Sequence, residues 1–217
     1  QVVSVMLSCN GITLNYAVIL YDKSKSKIQI VKEIAEELPI APVVSYFLCD
    51  SWYTSSKVMD SFIRKGFYTI GALKTNRILY PWGIRQKASL FALHLRKTDP
   101  GVSLVTVGGR QFYVYRYEGE LNGIPNATVI ISYPKDAFGN PKALRLFLST
   151  DVSLSTLEIL ETYIKRWPIE LFFRQSKSKL ALDKYQLRSR QGIQRYWLIY
   201  VAGSFFVLHA FWKLLCF

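Results

Sequence analysis

Stretches of hydrophobic residues at strand spacing alternate with stretches at helical spacing in the first third of the chain. Residues 2–8 and 12–21 are apolar runs of strand length, and the pair Asn10–Gly11 between them is typical of a tight hairpin turn. The following stretch has apolar residues on one helical face: Ile28, Val31, Ile34 and Leu38. This spacing predicts a hairpin followed by an amphipathic helix over residues 26–38.

The next apolar stretch, residues 43–49, has no polar alternation and ends abruptly in Asp50. A continuous run of this length is typical of a strand buried on both faces of a sheet. Residues 54–65 have the pattern of a helix that Gly66 stops, and residues 67–73 are again strand-like. Strands and helices in this order predict an α/β fold with helices packed on a sheet.

Between about 75 and 150 the pattern changes to short strands separated by glycine-containing turns. The predicted strands are residues 102–107, 111–117, 127–133 and 144–149. Short strands with such turns predict an antiparallel, β-rich insertion. We therefore divide the chain into 1–74, the first part of the core, 75–150, the insertion, and 151–217, helices that complete the core.

The helices after residue 150 begin at a capping box, because Ser155 and Glu158 have the required spacing. A helical pattern covers residues 155–181 with Pro168 inside it, and a last helix is predicted over 190–215. Pro168 must either kink the helix or start a new one, since proline has no amide hydrogen.

The charge balance indicates a polyanionic partner. The chain has 28 Lys and Arg against 15 Asp and Glu, a net charge of +13, which suits nucleic acid or an anionic membrane surface. Residues 196–217 are apolar enough for a membrane span, but His209, Lys213 and several small residues favour a buried core helix. We expect no membrane partner, and the span stays an alternative.

Cysteine and histidine usage points away from disulfides and zinc. The three cysteines form no CxxC pair, and Cys9 and Cys49 lie in apolar runs, so we expect them to be buried free thiols in a reducing compartment, the cytoplasm. His94 and His209 have no partner at ligand spacing.

Asp50 is the first candidate for chemistry, since ligands of α/β sheets bind at the carboxyl ends of strands. The alternative is an ordinary turn or helix-cap aspartate. Trp52 and Tyr53 either pack in the core, which we favour, or stack on a base. A group of basic residues follows that either contacts phosphates or is simply solvated: Lys74, Arg77, Arg85, Lys87, Arg96 and Lys97.

A second candidate set lies in the helical stretch, at Tyr163, Arg166, Glu170 and Lys177. At about 100° per residue these positions fall within an arc of roughly 60° on one continuous helix. Solvated surface charges are the alternative explanation of this polar stripe.

The gaps between these four residues resemble the YREK signature of the insertion-sequence DDE transposases. Tyr163, two residues, Arg166, three residues, Glu170, six residues and Lys177 match that signature in type and spacing. The surroundings of Asp50, Cys49-Asp-Ser-Trp-Tyr53, resemble the segment that carries the family's second catalytic aspartate. The β-rich stretch between the two segments is also similar, so the resemblance covers essentially the whole chain.

The resemblance implies a ribonuclease-H-like fold in which two Asp and one Glu bind two Mg²⁺ ions, with Mn²⁺ as a possible substitute. Asp50 would be the second Asp and Glu170 the Glu, both as catalytic metal ligands. Tyr163, Arg166 and Lys177 would be accessory residues around the DNA end, and Arg174 would extend that surface. Carboxylates are the hard oxygen ligands that Mg²⁺ prefers, and cations balance phosphate charge.

The chain departs from this family at the first catalytic Asp. Asp22, the only Asp ahead of Asp50, lies in a Lys- and Ser-rich loop and is interpreted as a turn residue. We expect the first strand and its Asp to lie upstream of Gln1. The function implied is metal-dependent cleavage of transposon ends and strand transfer, by a homodimer when full length and DNA-bound. A catalytically inactive DNA-binding remnant is the main alternative, and a membrane-associated protein is the other.

Overall fold

The computed structural model describes residues 1–121, 123–180, 186–187, 189–199 and 202–203. The chain folds as two compact units. One unit combines residues 1–34 with 167–217, and the other contains residues 35–166.

The first unit opens with the predicted hairpin. Strand β1 (Val2–Cys9) pairs antiparallel with β2 (Ile12–Leu20). Asn10 and Gly11 have φ angles of 49° and 80°, the left-handed pair that a two-residue hairpin turn requires. Cys9 lies beside this turn and is exposed, so the prediction of a buried thiol is wrong there. It fails because the hairpin is exposed around its turn, where the successive residues Leu7, Ser8 and Cys9 all face solvent.

The helices that precede and follow the sheet occur where the pattern predicts them, and a separate helix starts at Pro168. Helix α1 (Lys27–Glu37) begins in the first unit and ends in the second. Helix α5 (Pro168–Leu180) starts at the proline, and residues 190–199 are helical. The rest of the predicted last helix, apart from residues 202–203, lies outside the described residues, as does most of the segment 196–217. Across the part of the chain that is described, no helix is both long and apolar enough to cross a membrane.

The second unit is built on an eight-stranded mixed sheet. The strands in chain order are β3 (Ser45–Cys49), β4 (Phe67–Leu73), β5 (Ile78–Leu79), β6 (Gln86–Lys87), β7 (Val102–Val107), β8 (Arg110–Leu121), β9 (Ile124–Pro134) and β10 (Arg145–Ser149). Their order across the sheet is β3-β4-β10-β9-β8-β5-β6, with β7 paired to β8. Strands β3 and β4 are parallel, and the other pairs are antiparallel.

Helices cover both faces of this sheet. Helix α4 (Thr156–Ile164) packs Ile159 and Leu160 against Ile70 and Ile130 on one face. Helices α2 (Ser56–Ile63) and α3 (Ala88–His94) pack on the opposite face, where Val129 and its alternate neighbours form the larger core cluster. Successive residues of a strand therefore pack into the two clusters on opposite faces, as Val129 and Ile130 do. The predicted fold class, an α/β mixed sheet of ribonuclease-H-like type flanked by helices, is confirmed.

Two details differ from the sequence pattern. Strand β3 is the last strand of the sheet among the described residues and is half-buried over most of its length, so burial on both faces is wrong. Strand β10 pairs with β4 as well as β9, so the β-rich segment and the core strands form one continuous sheet. The boundaries of an insertion at 75 and 150 stay a prediction.

Candidate active site

Asp50 follows β3 directly and its carboxylate is exposed at the carboxyl end of the parallel pair β3–β4. The backbone amide of Trp52 donates to Asp50 Oδ1 at 2.8 Å, and the amide of Tyr53 donates to the Asp50 carbonyl at 3.2 Å. These bonds make a compact turn that fixes the carboxylate. Among the described residues, Oδ2 accepts no hydrogen bond, so one oxygen remains available for a ligand.

The turn after Asp50 rests on a point of close backbone approach. Gly71 of β4 pairs with Cys49, and a Cβ at Gly71 would lie 2.5 Å from Thr54 Cγ2 and 2.8 Å from Cys49 Sγ. The guanidinium of Arg77 donates to the Thr54 carbonyl and ties down the end of the turn. Sequence reasoning missed both supports, although a glycine inside a strand pattern is a recognised sign of such an approach.

Tyr163 lies in the last turn of helix α4 and Arg166 in the turn that follows the helix, and both lie near Cys49. The helix starts at the predicted capping box: the Ser155 amide donates to Glu158 Oε2 at 2.8 Å, and the Glu158 amide donates to Ser155 Oγ at 3.3 Å. At its other end the Tyr163 ring packs on Phe147 of β10, with ring centres 4.8 Å apart. The Arg166 guanidinium lies 5.4 Å from the centre of the Tyr163 ring.

The electrostatics show that these groups act on one another. Burial raises the pKa of Tyr163, the nearby Arg166 opposes that shift through its charge and a hydrogen bond, and Cys49 and Asp50 add to it. Burial also raises the pKa of the Cys49 thiol, Asp50 raises it further, and Arg166 again lowers it. The pKa of Tyr53 is raised by burial and then by Asp50. These shifts keep the Cys49 thiol and the Tyr53 and Tyr163 phenols in their neutral forms near Asp50, and Arg166 is the cation that acts on Cys49 and Tyr163.

The remaining predicted site residues are on α5, which belongs to the other unit. Glu170, Arg174 and Lys177 are exposed and recur at intervals of four and three residues, so they share one face. Phe172 and Ser176 are buried on another face of this helix. Since α4 ends at Ile164 and Pro168 starts α5, the predicted arc of four residues on one continuous helix is wrong. Proline lacks the amide needed to continue α4.

The two aromatic residues after Asp50 differ in how much of each side chain meets solvent. Tyr53 is half-buried and flanks the turn, whereas Trp52 is 70% exposed, so core packing is wrong for Trp52. A two-residue turn directs successive side chains differently, which the composition of the segment does not reveal. Of the predicted basic group, Lys74 lies over the Trp52 ring, and Lys97 lies over the Tyr113 ring.

The exposed carboxylate of Asp50 is the type of ligand that binds a hard divalent cation such as Mg²⁺. Asp50 offers an exposed carboxylate oxygen, and oxygen ligands are those that Mg²⁺ prefers. Within the described ranges, no three side chains of His, Cys, Asp or Glu lie together as a complete metal site. The described residues therefore supply one suitable oxygen at Asp50 but not a complete metal site.

Comparison with known proteins identifies the family of the chain through one family model. No curated protein matches the chain. A family model described as the transposase DDE domain matches residues 2–205, which includes both strands of the hairpin, the mixed sheet, Asp50 and the helices that carry Tyr163 and Glu170. With nearly its whole length covered, the chain belongs to the transposase DDE domain family.

Proposed function

We propose that the full-length protein cleaves DNA at transposon ends and joins the freed 3′-hydroxyls to target DNA, with Asp50 and Glu170 as metal ligands. The observation that carries this proposal is the Asp50 turn. An exposed carboxylate is fixed by the Trp52 amide at the carboxyl end of a parallel strand pair, with Arg166 acting on its surroundings. Family membership supports the same chemistry. The spacing of Tyr163, Arg166, Glu170 and Lys177 supports the YREK-signature group as the finer identity.

The two carboxylates have different supports. Asp50 is held by a backbone amide, and Glu170 lies in the first turn of α5, where the helix dipole favours a negative charge. The first catalytic Asp of the family would be the third carboxylate of the set. Mg²⁺, or Mn²⁺ in its place, supplies Lewis acidity toward the scissile phosphate and the attacking oxygen.

Arg166, Arg174 and Lys177 would balance the negative charge of the DNA phosphates. Arg166 is half-buried, and the Tyr163 ring and hydroxyl hold its guanidinium in place. A positioned guanidinium suits two phosphate oxygens at once, because its parallel N–H groups match them. Arg174 and Lys177 are exposed on the α5 face that carries Glu170, where they are available to a DNA backbone.

DNA is the partner that this assignment requires. The net charge of +13 favours a polyanion and predicts binding that weakens steeply as salt rises. We propose that the full-length protein acts on DNA ends as a homodimer, since two ends must be joined to one target.

The test is cleavage of a duplex carrying the transposon end by the full-length protein with Mg²⁺. Asp50→Asn and Glu170→Gln each remove a ligand charge while keeping the side-chain size. We expect both variants to lose cleavage and to retain DNA affinity in a gel-shift assay, because neither residue is assigned to bind the backbone.

Near-normal cleavage by either variant would refute the assignment of that carboxylate. If the unmodified protein binds DNA with a steep salt dependence but cleaves it with neither Mg²⁺ nor Mn²⁺, the inactive DNA-binding alternative is correct instead.

A further inference from the structure

Trp52 is an exposed indole in a turn that is otherwise tightly held. Its backbone amide is bonded to Asp50 Oδ1 at 2.8 Å, while 70% of the residue remains accessible. Neighbouring Thr54 is buried and its carbonyl is bonded to Arg77. Because the backbone of this turn is already fixed, a molecule that contacts the exposed ring does not have to order the turn first.

Lys74 gives this ring a charged companion. It follows β4 directly, and its Nζ lies 4.9 Å from the centre of the Trp52 ring. Since β3 and β4 are parallel, the two strands deliver Asp50 and Lys74 to the same end of the sheet. A carboxylate, an indole and an ammonium group therefore lie together there.

We propose that Trp52 and Lys74 form a nucleotide platform, on which an unpaired DNA base stacks against the indole while Lys74 binds the adjoining phosphate. The inference rests on the proposed function, because it takes the substrate to be DNA and the reacting phosphate to lie at Asp50. A base held on Trp52 would fix the nucleotide beside that phosphate. The platform is thus a positioning device for the DNA end.

The chemistry of the pair favours a nucleotide over an apolar protein partner. Every base has a π-face that stacks on an aromatic ring, and every nucleotide carries a phosphate that attracts an ammonium group. An apolar partner would gain from the ring but would desolvate Lys74 without a counter-charge. The strongly basic chain also attracts DNA before the platform is reached.

The same unit contains a matched control for this platform. Trp82 is 82% exposed, and its ring meets the edge of Phe91 at a centre distance of 5.7 Å. Among the described residues no lysine or arginine lies over the Trp82 ring. A general effect of removing an exposed tryptophan should therefore appear equally at Trp82.

The experiment measures the affinity of the whole chain for a short single-stranded oligonucleotide in EDTA, where no metal-dependent cleavage occurs. Trp52→Ala should weaken binding about tenfold, the size expected for loss of one stacked base. Trp52→Phe, which keeps a ring, should restore most of that loss, and Trp82→Ala should bind like the unmodified chain. Lys74→Gln should make the dependence of log affinity on log salt shallower by about 0.7, the value for one phosphate contact on a single strand.

Unchanged affinity in Trp52→Ala, or an equal loss in Trp82→Ala, would overturn the platform. Failure of the proposed function has a different signature, whatever Trp52→Ala does to binding in EDTA: the unmodified protein would cleave the end-bearing duplex with neither Mg²⁺ nor Mn²⁺, or Asp50→Asn would cleave it normally. Thermal unfolding of each variant confirms that the exposed side chain was removed without loss of the fold.

Discussion

Asp22 and Asp50 sit in turns of the same local design and differ in what surrounds them. Each follows a strand, and each accepts the backbone amide of the residue two positions later, at 3.0 Å for Asp22 and 2.8 Å for Asp50. Asp22 also accepts the Ser24 hydroxyl and forms an ion pair of 2.8 Å with Arg190. Asp50 has neither a hydroxyl nor an ion pair among the described residues.

The Asp22 carboxylate is occupied by Ser24 and Arg190, whereas the Asp50 carboxylate keeps one oxygen without a partner among the described residues. The Ser24 hydroxyl and amide, and then Arg190, lower the pKa of Asp22, which marks a carboxylate stabilised by its own fold. At Asp50 the neighbouring phenols and thiol are instead pushed toward their neutral forms. The turn alone therefore does not identify a site; the unfilled oxygen and the neighbours do.

The largest expected effect is on the cleavage rate, when one carboxylate oxygen is replaced by an amide group in each of the two turns. Asp50→Asn should reduce metal-dependent cleavage at least about a hundredfold, comparable to the loss of a catalytic electrostatic group. Asp22→Asn should leave cleavage within about twofold, because its carboxylate is committed to Ser24 and Arg190. Initial rates on the same end-bearing duplex, measured with the full-length protein, make the comparison.

An equal loss in both variants would contradict the distinction between the two turns. Retained activity in Asp50→Asn, with Asp22→Asn impaired, would reverse it.

A second prediction concerns the support of the Asp50 turn, which the Asp22 turn does not have. Gly71→Ala places a methyl group against Thr54 Cγ2 and Cys49 Sγ, and such overpacking costs about 1–3 kcal/mol. We expect a lower free energy of unfolding in urea and slower cleavage, since the turn must move. Thr54→Ser removes the nearer obstacle, so the double variant should recover part of both losses. Additive losses would show that Gly71 does not support the turn through Thr54.

Much of this architecture was predictable because it depends on local spacing. The hairpin, α1, the parallel strand β4 and the Ser155 capping box follow from residues close in sequence, and the end-of-strand position of Asp50 follows from them. The approach of Gly71 to Thr54 was not predictable, because it depends on the register between β3 and β4. The exposure of Trp52 likewise depends on how the turn is directed, and the break at Pro168 was one of two outcomes that proline allows.

A smaller expected effect is a difference in the alkylation rates of Cys9 and Cys49. Burial and the charge of Asp50 raise the pKa of Cys49, so this thiol should react very slowly with iodoacetamide at pH 8, whereas exposed Cys9 should react readily. Peptide mapping by mass spectrometry after a timed reaction gives the ratio of the two modified peptides. Unfolding in urea should make the two rates converge. Equal rates in the folded chain would contradict a buried support beneath Asp50.

The smallest expected effect is the contribution of the Asp22 turn to stability, and it has a definite dependence on pH. Because the pKa of Asp22 is lowered in the folded chain, its contribution is present above the unfolded value, about 3.9, and is lost as pH falls through the folded value. Asp22→Asn should therefore melt slightly below the unmodified chain at pH 7, and the difference should shrink toward zero below pH 4. Added salt should also reduce it, since both Asp22 and Arg190 meet solvent. A difference that grows on acidification would contradict a lowered pKa of Asp22 in the folded chain.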